Sequence, residues 1–559
     1  MKKFVTIGTL AALLLTIAAL NACTHEEPVI DTPVEQQAEQ QGYTLVINAE
    51  KVPVTKGLLT PEEGGKVIKT YWKAGEKVYA YQYDYTAGKW EELGVLTADA
   101  SETVSTTLHG TLRKKPNESG FKLYLHVPYA DYSMQYGLLN ESTPYSIEDN
   151  FDYAISNVIK YKVDEASKTI TAETDGFRCQ QAIVKFNLLD DQGRPIENLG
   201  KLEIEDQAEG NNKCMWTKFG PTDGTSNHEV PVFDGKVTVD CYRNSSIYVA
   251  LSNVRNSSKL HLTASTAKTD SEPYIYSYTY DKTGIVFENG CYYEITVKMK
   301  KDPINLGQID APFTAVDGDV LTGTLGMHKI TIADNATVTL RDADLSHSDY
   351  PGWSEEERCK YAGLTLEGSA NIMLEGTNKV SGFHKNYPGI YIPAGQELSI
   401  DGEGSLEARS GGRAAGIGGT YGEDVETAED NESGDLQIKG GTITAYGGEG
   451  AAGIGSSEMN KSGHLYVYGG TINAYGGKGA AGIGSGYKGK CGNLYFWKGT
   501  ITAIGGTNAA GIGSGQSGVC GLIYVDVASS HSAQSGGENI PDIGAGLDGE
   551  CGWIDGGGL

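Results

Sequence analysis

The chain has 559 residues and a formal net charge of −27, and 75 of its residues are glycine. At ordinary domain sizes that is room for roughly three or four domains. An acidic chain without a basic patch is a poor match for nucleic acid, so no nucleic-acid partner is expected.

The N-terminus reads as a targeting segment. Lys2 and Lys3 form a basic start, Val5 to Leu20 is apolar, and Leu20-Asn21-Ala22-Cys23 resembles a bacterial lipobox. The resemblance implies that residues 1–22 are a signal peptide, removed before Cys23, and that the Cys23 thiol is lipidated. The apolar run is too short for a durable membrane span, so the acyl chains would anchor the protein to the outer membrane. Thr24-His25-Glu26-Glu27 resembles the surface-export signal of Bacteroidetes lipoproteins. Residues 23–42, rich in Glu, Gln, Pro and Thr, read as a disordered tether.

The other cysteines are Cys179, Cys214, Cys241, Cys291, Cys359, Cys491, Cys520 and Cys551. An oxidising compartment permits disulfides. No CxxC and no Cys/His pair has zinc spacing, so neither a structural metal nor a cofactor is expected.

Residues 43–300 are all-β in character. Short runs rich in Tyr, Val, Ile and Thr are broken by Gly, Asn, Asp and Pro, as in Tyr43-Thr44-Leu45-Val46-Ile47 and Ala182-Ile183-Val184-Lys185-Phe186. The spacing suggests antiparallel sandwiches, divided near Phe177 into 43–177 and 178–300. Three stretches resemble the Bacteroidetes fimbrillin-like proteins: Val54-Thr55-Lys56 with Tyr71-Trp72-Lys73-Ala74-Gly75-Glu76-Lys77-Val78, then Gln181 to Leu188, then Phe287 to Val297. The resemblance implies two transthyretin-like β-sandwiches and fimbrial subunits as partners. Fimbrillins that polymerise are commonly cleaved after an early Arg. Here no Arg lies between Cys23 and Arg113, and residues 301–559 follow the closing strand. Both departures argue against polymerisation into a shaft and leave a tip or anchor position open.

Residues 301–318, with Pro303 and Pro312, read as a linker. Residues 319–559 read as a solenoid. Ala-Ala-Gly-Ile-Gly returns with its isoleucine at Ile417, Ile454, Ile483, Ile512 and, in worn form, Ile543, at spacings of 37, 29, 29 and 31. The motif Leu436 to Tyr446 returns as Leu465 to Tyr475 and Leu494 to Ile504. A fixed period with alternating short apolar runs and glycine turns predicts stacked β-coils, a right-handed parallel β-helix. The repeat itself is similar to bacterial surface β-helix proteins, some of which are held to bind carbohydrate. The expected fold is thus all-β, with two sandwiches followed by the β-helix.

Alternation along a strand assigns the faces. Leu436/Ile438, Leu465/Val467, Leu494/Phe496 and Ile523/Val525 share one phase and should point inward. Two outward columns follow: Gln437, Tyr466, Tyr495, Tyr524, and Lys439, Tyr468, Trp497, Asp526. Tyr466, Tyr468, Tyr495, Trp497 and Tyr524 should therefore form an aromatic face suited to the apolar side of sugar rings. Cross-strand packing alone also favours aromatics there. Further outward columns are Thr442, Thr471, Thr500 and Thr444, Asn473, Thr502, which suit hydrogen bonding between coils. Cys491, Cys520 and Cys551 share one turn position, within reach of a disulfide on adjacent coils, although three in line cannot all pair; buried thiols filling a corner are the plainer reading. The acidic loop in 422–435 has oxygen ligands but no EF-hand order, so it reads as solvated rather than as a calcium site.

No catalytic residue is assigned. Beyond Arg413 there is no Arg to serve a lyase. His464 stands where other coils carry Asp435 and Asn493 and reads as a turn variant. Asp401 and Glu403 are the carboxylates weighed for glycosidase chemistry, which needs a pair at set separation. The expectation is a surface lipoprotein adhesin with a glycan- or host-binding face. The alternatives are a structural fimbrial tip or anchor with the β-helix as spacer, and a polysaccharide-degrading enzyme.

Overall fold

The computed structural model describes residues 42–557, apart from 52–59, 62–67, 70, 101, 126–129, 140–145, 211–212, 221–234, 243–245, 270–273, 347–359 and 423–431. The signal peptide, Cys23, the tether up to Gln41, Val54-Thr55-Lys56, Cys359 and most of the acidic loop lie outside the described residues. The chain is all-β. Among the described residues, α-helix is confined to the single turn Ile147–Asn150.

The first sheet has nine strands, in the order Tyr161–Asp164, Thr169–Ala172, Tyr43–Glu50, Ser105–Leu112, Lys89–Ala98, Lys77–Asp84, Lys122–Leu125, Ala154–Ser156 and Phe177–Cys179. Alternation sets its inner face: Leu45, Ile47 and Ala49 are buried while Val46 and Asn48 face out. One core, including Trp72, Leu96, Leu108, Phe121 and Ile170, is enclosed by this single sheet. The sheet therefore wraps over on itself, and Lys51 bridges Phe177 to bring strands from its middle and its end together. At that seam Trp72 meets Phe177 edge to face at 5.8 Å. The buried Lys51 ammonium lies 2.8 Å from Glu76 and 4.4 Å from the Trp72 ring centroid.

Two further sheets form a sandwich. Ala182–Leu189 lies between Ser246–Leu251 and Tyr292–Lys298, and faces a six-stranded sheet containing Leu199–Asp206 and Lys259–Thr266 across a core of Val184, Phe186, Leu202, Ile204, Val249 and Leu262. The two halves are tied together by strand exchange. Met134–Gln135 pairs with Lys236–Asp240, and Ala130–Asp131 pairs with Lys218–Phe219. Gln135 is fully buried; its side chain donates to the Ala250 carbonyl and accepts from the Ala250 N–H, both at 2.8 Å. A tyrosine-rich cluster, with Tyr81, Tyr124, Tyr132 and Tyr153 against Ile183, Ala250 and Tyr292, fills the junction.

The solenoid begins earlier than 319. Ile304–Asn305 and Phe313–Ala315, expected in a linker, pair in parallel with Val320–Thr324 and Ile330–Ile332. The physical reason is burial: Ile304, Leu306, Ile309, Phe313 and Ala315 all join the solenoid core. Tyr274 and Tyr276 of the preceding sandwich pack on Phe313 and cover this first coil.

From there the coils stack in parallel ladders. One ladder runs Phe313–Ala315, Ile330–Ile332, Leu364–Leu366, Ile390–Tyr391, Ile417–Gly418, Ile454–Gly455, Ile483–Gly484, Ile512–Gly513 and Ile543–Gly544. A regular coil has four short strands, as in Leu465–Val467, Thr471–Tyr475, Ile483–Gly484 and Lys490–Cys491. The inward residues stack as expected: Leu436, Leu465, Leu494 and Ile523 align, as do Ile438, Val467, Phe496 and Val525, and all are buried. Each such side chain contributes roughly 1.5–3 kcal/mol by leaving water. The second glycine of Ala-Ala-Gly-Ile-Gly is dictated by backbone. Gly455 has φ +134°, and a Cβ there would sit 2.0 Å from the Gly484 carbonyl oxygen. Buried Ser456, Ser485 and Ser514 accept the N–H of Gly486, Gly515 and Gly546, each at 3.0 Å, so each of these three coils satisfies an amide of the next.

Candidate ligand-binding surface

The aromatic columns lie on the strands that follow Asp435, His464 and Asn493. These three residues form a relay between coils. The His464 N–H donates to Asp435 Oδ1 (2.7 Å), the Asn493 N–H to His464 Nδ1 (2.9 Å), and the Leu522 N–H to Asn493 Oδ1 (2.9 Å). His464 thus acts as a turn acceptor, as its alignment with Asp and Asn implies. The relay fixes the start of each strand, and Gly440-Gly441 and Gly469-Gly470 then lead into the next strand of the coil, Thr442–Tyr446 and Thr471–Tyr475.

Register holds across five coils: Gln437 pairs with Tyr466, Tyr466 with Tyr495, Tyr495 with Tyr524, and Tyr524 with Asp555. The second column keeps step, since the N–H groups of Tyr468, Trp497 and Asp526 donate to the carbonyls of Ile438, Val467 and Phe496. All five aromatics point outward. They are not equally open. Tyr468 is 45% exposed and Trp497 40%, whereas Tyr466, Tyr495 and Tyr524 are half-buried by one another.

The rings are ordered. Tyr466 and Tyr495 stack with centroids 5.2 Å apart and planes 5° from parallel. Trp497 lies parallel to Tyr495 at 6.2 Å, offset from it, and Tyr524 leans on Trp497 at 4.7 Å and 46°. Asn493 Nδ2 donates to the Tyr495 hydroxyl (3.0 Å), and the Tyr524 hydroxyl donates to Asp526 (3.2 Å). Desolvation first, then the neighbouring carboxylates Asp435 and Asp526, raise the Tyr466 and Tyr524 phenols above their ordinary value. Both therefore remain hydroxyl donors at neutral pH. The surface can offer ring faces, ring edges and fixed hydroxyls to a ligand running along the rod.

A second aromatic stack was not anticipated. Arg409, Tyr446 and Tyr475 align on the next strand of the coil. The Arg409 guanidinium sits 3.8 Å over Tyr446, which stacks on Tyr475 at 4.8 Å and 9°. The signal was present in the tyrosine that closes the first two copies of the second motif, Tyr446 and Tyr475. Thr442, Thr471 and Thr500 align outward on that strand, as do Thr444, Asn473 and Thr502. Lys379, Lys385, Glu407 and Arg409 line a hollow of about 330 Å³ beside it. A larger hollow of about 550 Å³, lined by Lys160, Tyr161, Glu173 and Asp175, belongs to the first sheet and not to the solenoid.

Of the other residues considered, Asp401 turns its carboxylate onto the N–H of Gly402 at 2.7 Å. Cys491, Cys520 and Cys551 share one ladder. Among the described residues no group of three or more His, Cys, Asp or Glu could hold a metal ion, and no helix is long and apolar enough to cross a membrane.

A family model described as Beta helix repeat matches residues 398–421, 436–458, 465–487 and 498–516. No curated protein sequence matches the chain. Among solved structures the chain is similar to a candidate cell adhesion protein of Bacteroides uniformis, at 10% identity and TM-score 0.26, over 48% of this chain and 98% of that one. It is also similar to a streptococcal ancillary pilin, at 11% identity and TM-score 0.17, over 47% and 69% of the two chains. A third is the shaft pilin SpaA of Lactobacillus rhamnosus GG, at 10% identity and TM-score 0.17, over 47% and 99%. These scores are low, and the fold described above rests on its own strand ladders.

Proposed function

We propose that the protein is a lipid-anchored adhesin of the outer membrane surface, tethered through Cys23, whose β-helix holds a glycan or other host-surface ligand against Tyr466, Tyr468, Tyr495, Trp497 and Tyr524. The observation that supports this reading is the pair Tyr468 and Trp497. Large aromatics gain little stability from standing 45% and 40% exposed on a rod whose core is already complete, whereas a ring face open to water next to fixed hydroxyls suits the mixed apolar and polar surface of a sugar. The role is non-enzymatic in this reading.

A structural reading has its own support. Tyr466 and Tyr495 cover each other, as rings do when they serve the ladder. In that case the β-helix is a rigid spacer in a fimbrial tip or anchor, with pilin-type subunits as partners.

Glycan-array binding by the full mature chain separates the two. Saturable binding to a discrete set of glycans supports the adhesin. Silence across the array, together with co-purification of fimbrial subunits, supports the spacer. The anchor is tested separately by metabolic labelling with an alkyne fatty acid, which Cys23→Ala should abolish.

A further inference from the structure

The short strands just before the aromatic strands carry a column that changes character along the rod. Lys461–Ser462, Lys490–Cys491, Val519–Cys520 and Glu550–Cys551 form a parallel four-stranded ladder in which Ser462, Cys491, Cys520 and Cys551 are in register. Parallel strands stand about 4.8 Å apart, inside the Cα separation that a disulfide spans. Cys491 and Cys520 are buried and their Sγ atoms lie 2.8 Å apart. Cys551 is only partly buried, and its Sγ lies 4.0 Å from the Gly521 carbonyl oxygen.

We propose that Cys491 and Cys520 form a disulfide that staples two consecutive coils, with Cys551 as the thiol that exchanges into it. Formation is a thiol–disulfide exchange. The two thiols give up two protons and two electrons to the disulfide of an oxidoreductase or of a small molecule such as oxidised glutathione, which leaves as two thiols. Because Cys520 stands between two partners, the bond can then migrate. The Cys551 thiolate attacks Cys520 Sγ, the 520–551 bond forms as the 491–520 bond breaks, and Cys491 leaves as a thiolate that takes up the proton Cys551 gave up. No net oxidation occurs in that step. The environment favours this division of roles. The hydrogen bond to Cys520 holds the Cys551 thiol below its ordinary value against the opposing effect of burial. Hydrogen bonding to Cys491 and Cys551, then burial, pushes Cys520 up. Cys551 is also the most accessible of the three sulfurs and stands in register beside Cys520, which places it to attack the 491–520 bond.

The staple closes a loop through one coil and removes freedom from the unfolded chain rather than adding a contact to the folded one. It lies in the last coils of the rod.

The test is peptide mapping of the full chain after equilibration with oxidised glutathione and alkylation of remaining thiols. Trypsin with a glutamyl endopeptidase separates the three cysteines, since Glu538 and Glu550 lie between Cys520 and Cys551. The expected product is a linked 491–520 peptide with Cys551 alkylated. Cys491→Ser should move the link to 520–551, and Cys520→Ser should leave Cys491 and Cys551 both alkylated. Reductant should lower the melting midpoint of the parent by roughly 5 °C or more and leave that of Cys520→Ser unchanged. Full alkylation of all three cysteines in the oxidised parent overturns the proposal, as does a linked pair that survives Cys520→Ser.

Discussion

Tyr466 and Tyr495 stack face to face on consecutive coils, 5.2 Å between centroids and 5° between planes. Their facing sides are therefore spent on each other, for roughly 0.5–1.5 kcal/mol, and what they show to solvent is edge and hydroxyl. Tyr468 and Trp497, the next outward residues just past the ends of Leu465–Val467 and Leu494–Phe496, remain exposed. If the proposed adhesin reading holds, the stack is the support and these two are the contact residues, so stability and binding should separate by mutation.

The coil itself depends on its glycine column. Gly455→Ala forces a side chain into left-handed backbone and onto the Gly484 carbonyl. A loss of about 3 kcal/mol or more is expected by denaturant titration. Gly326→Ala, where nothing lies within 4 Å, should change stability by less than about 0.5 kcal/mol. Equal effects of the two would mean that the stacked backbones are not as close as described.

Much of the solenoid was legible because the repeat is nearly exact where it matters. Ile454, Ile483 and Ile512 recur at one period, so alternation alone placed Leu465, Val467, Tyr466 and Tyr495 on their faces. The first coil was missed because Ile304 to Ala315 lacks the Ala-Ala-Gly-Ile-Gly motif, follows Pro303 and carries Pro312, and only burial reveals it. Met134–Gln135 crosses into the second sheet as a two-residue strand, too short to show any period. The Arg409, Tyr446 and Tyr475 stack was hidden by the insertion that lengthens the coil between Arg409 and Tyr446. That Tyr466 and Tyr495 shield each other follows from ring orientation, which a face pattern does not specify.

Asn493 joins the coil relay to the aromatic column, accepting the Leu522 N–H and donating to the Tyr495 hydroxyl. Asn493→Ala should cost about 1–2 kcal/mol of stability, while Asn493→Asp, which keeps the acceptor, should cost less. Chemical denaturation ranks them, and the opposite ranking would remove the relay as the reason for this residue.

The buried pair Lys51 and Glu76 should behave as a desolvated charge pair. Glu76→Gln leaves the ammonium buried without its counter-charge, and a loss of about 3 kcal/mol at neutral pH is expected. Burial already lowers the Lys51 pKa, with Glu76 opposing it. A depressed lysine destabilises the fold while it must be charged, so the deficit of the variant should shrink as pH rises toward 10. A deficit that is flat in pH would assign it to packing instead.

Asp206 gives an acid-side prediction. It is buried, and burial alone would raise its pKa. The N–H groups of Cys214, Lys259, Ala208 and Met215 outweigh that effect and hold it below the ordinary value. A depressed carboxyl contributes stability above its unfolded value, near 4, and loses it as pH falls through the lower folded value. Asp206→Asn should therefore be less stable than the parent by about 2 kcal/mol at neutral pH, with the gap closing only below about pH 4. A gap that closes already between pH 7 and 5 would contradict the assignment.

The most direct measurement is calorimetric titration of the full mature chain and of Tyr468→Ala with Trp497→Ala against the strongest glycan from an array, alongside thermal melting of both. The account predicts at least a tenfold loss of affinity, about 1.4 kcal/mol or more, with the melting midpoint unchanged. Undiminished affinity in the double variant would contradict it.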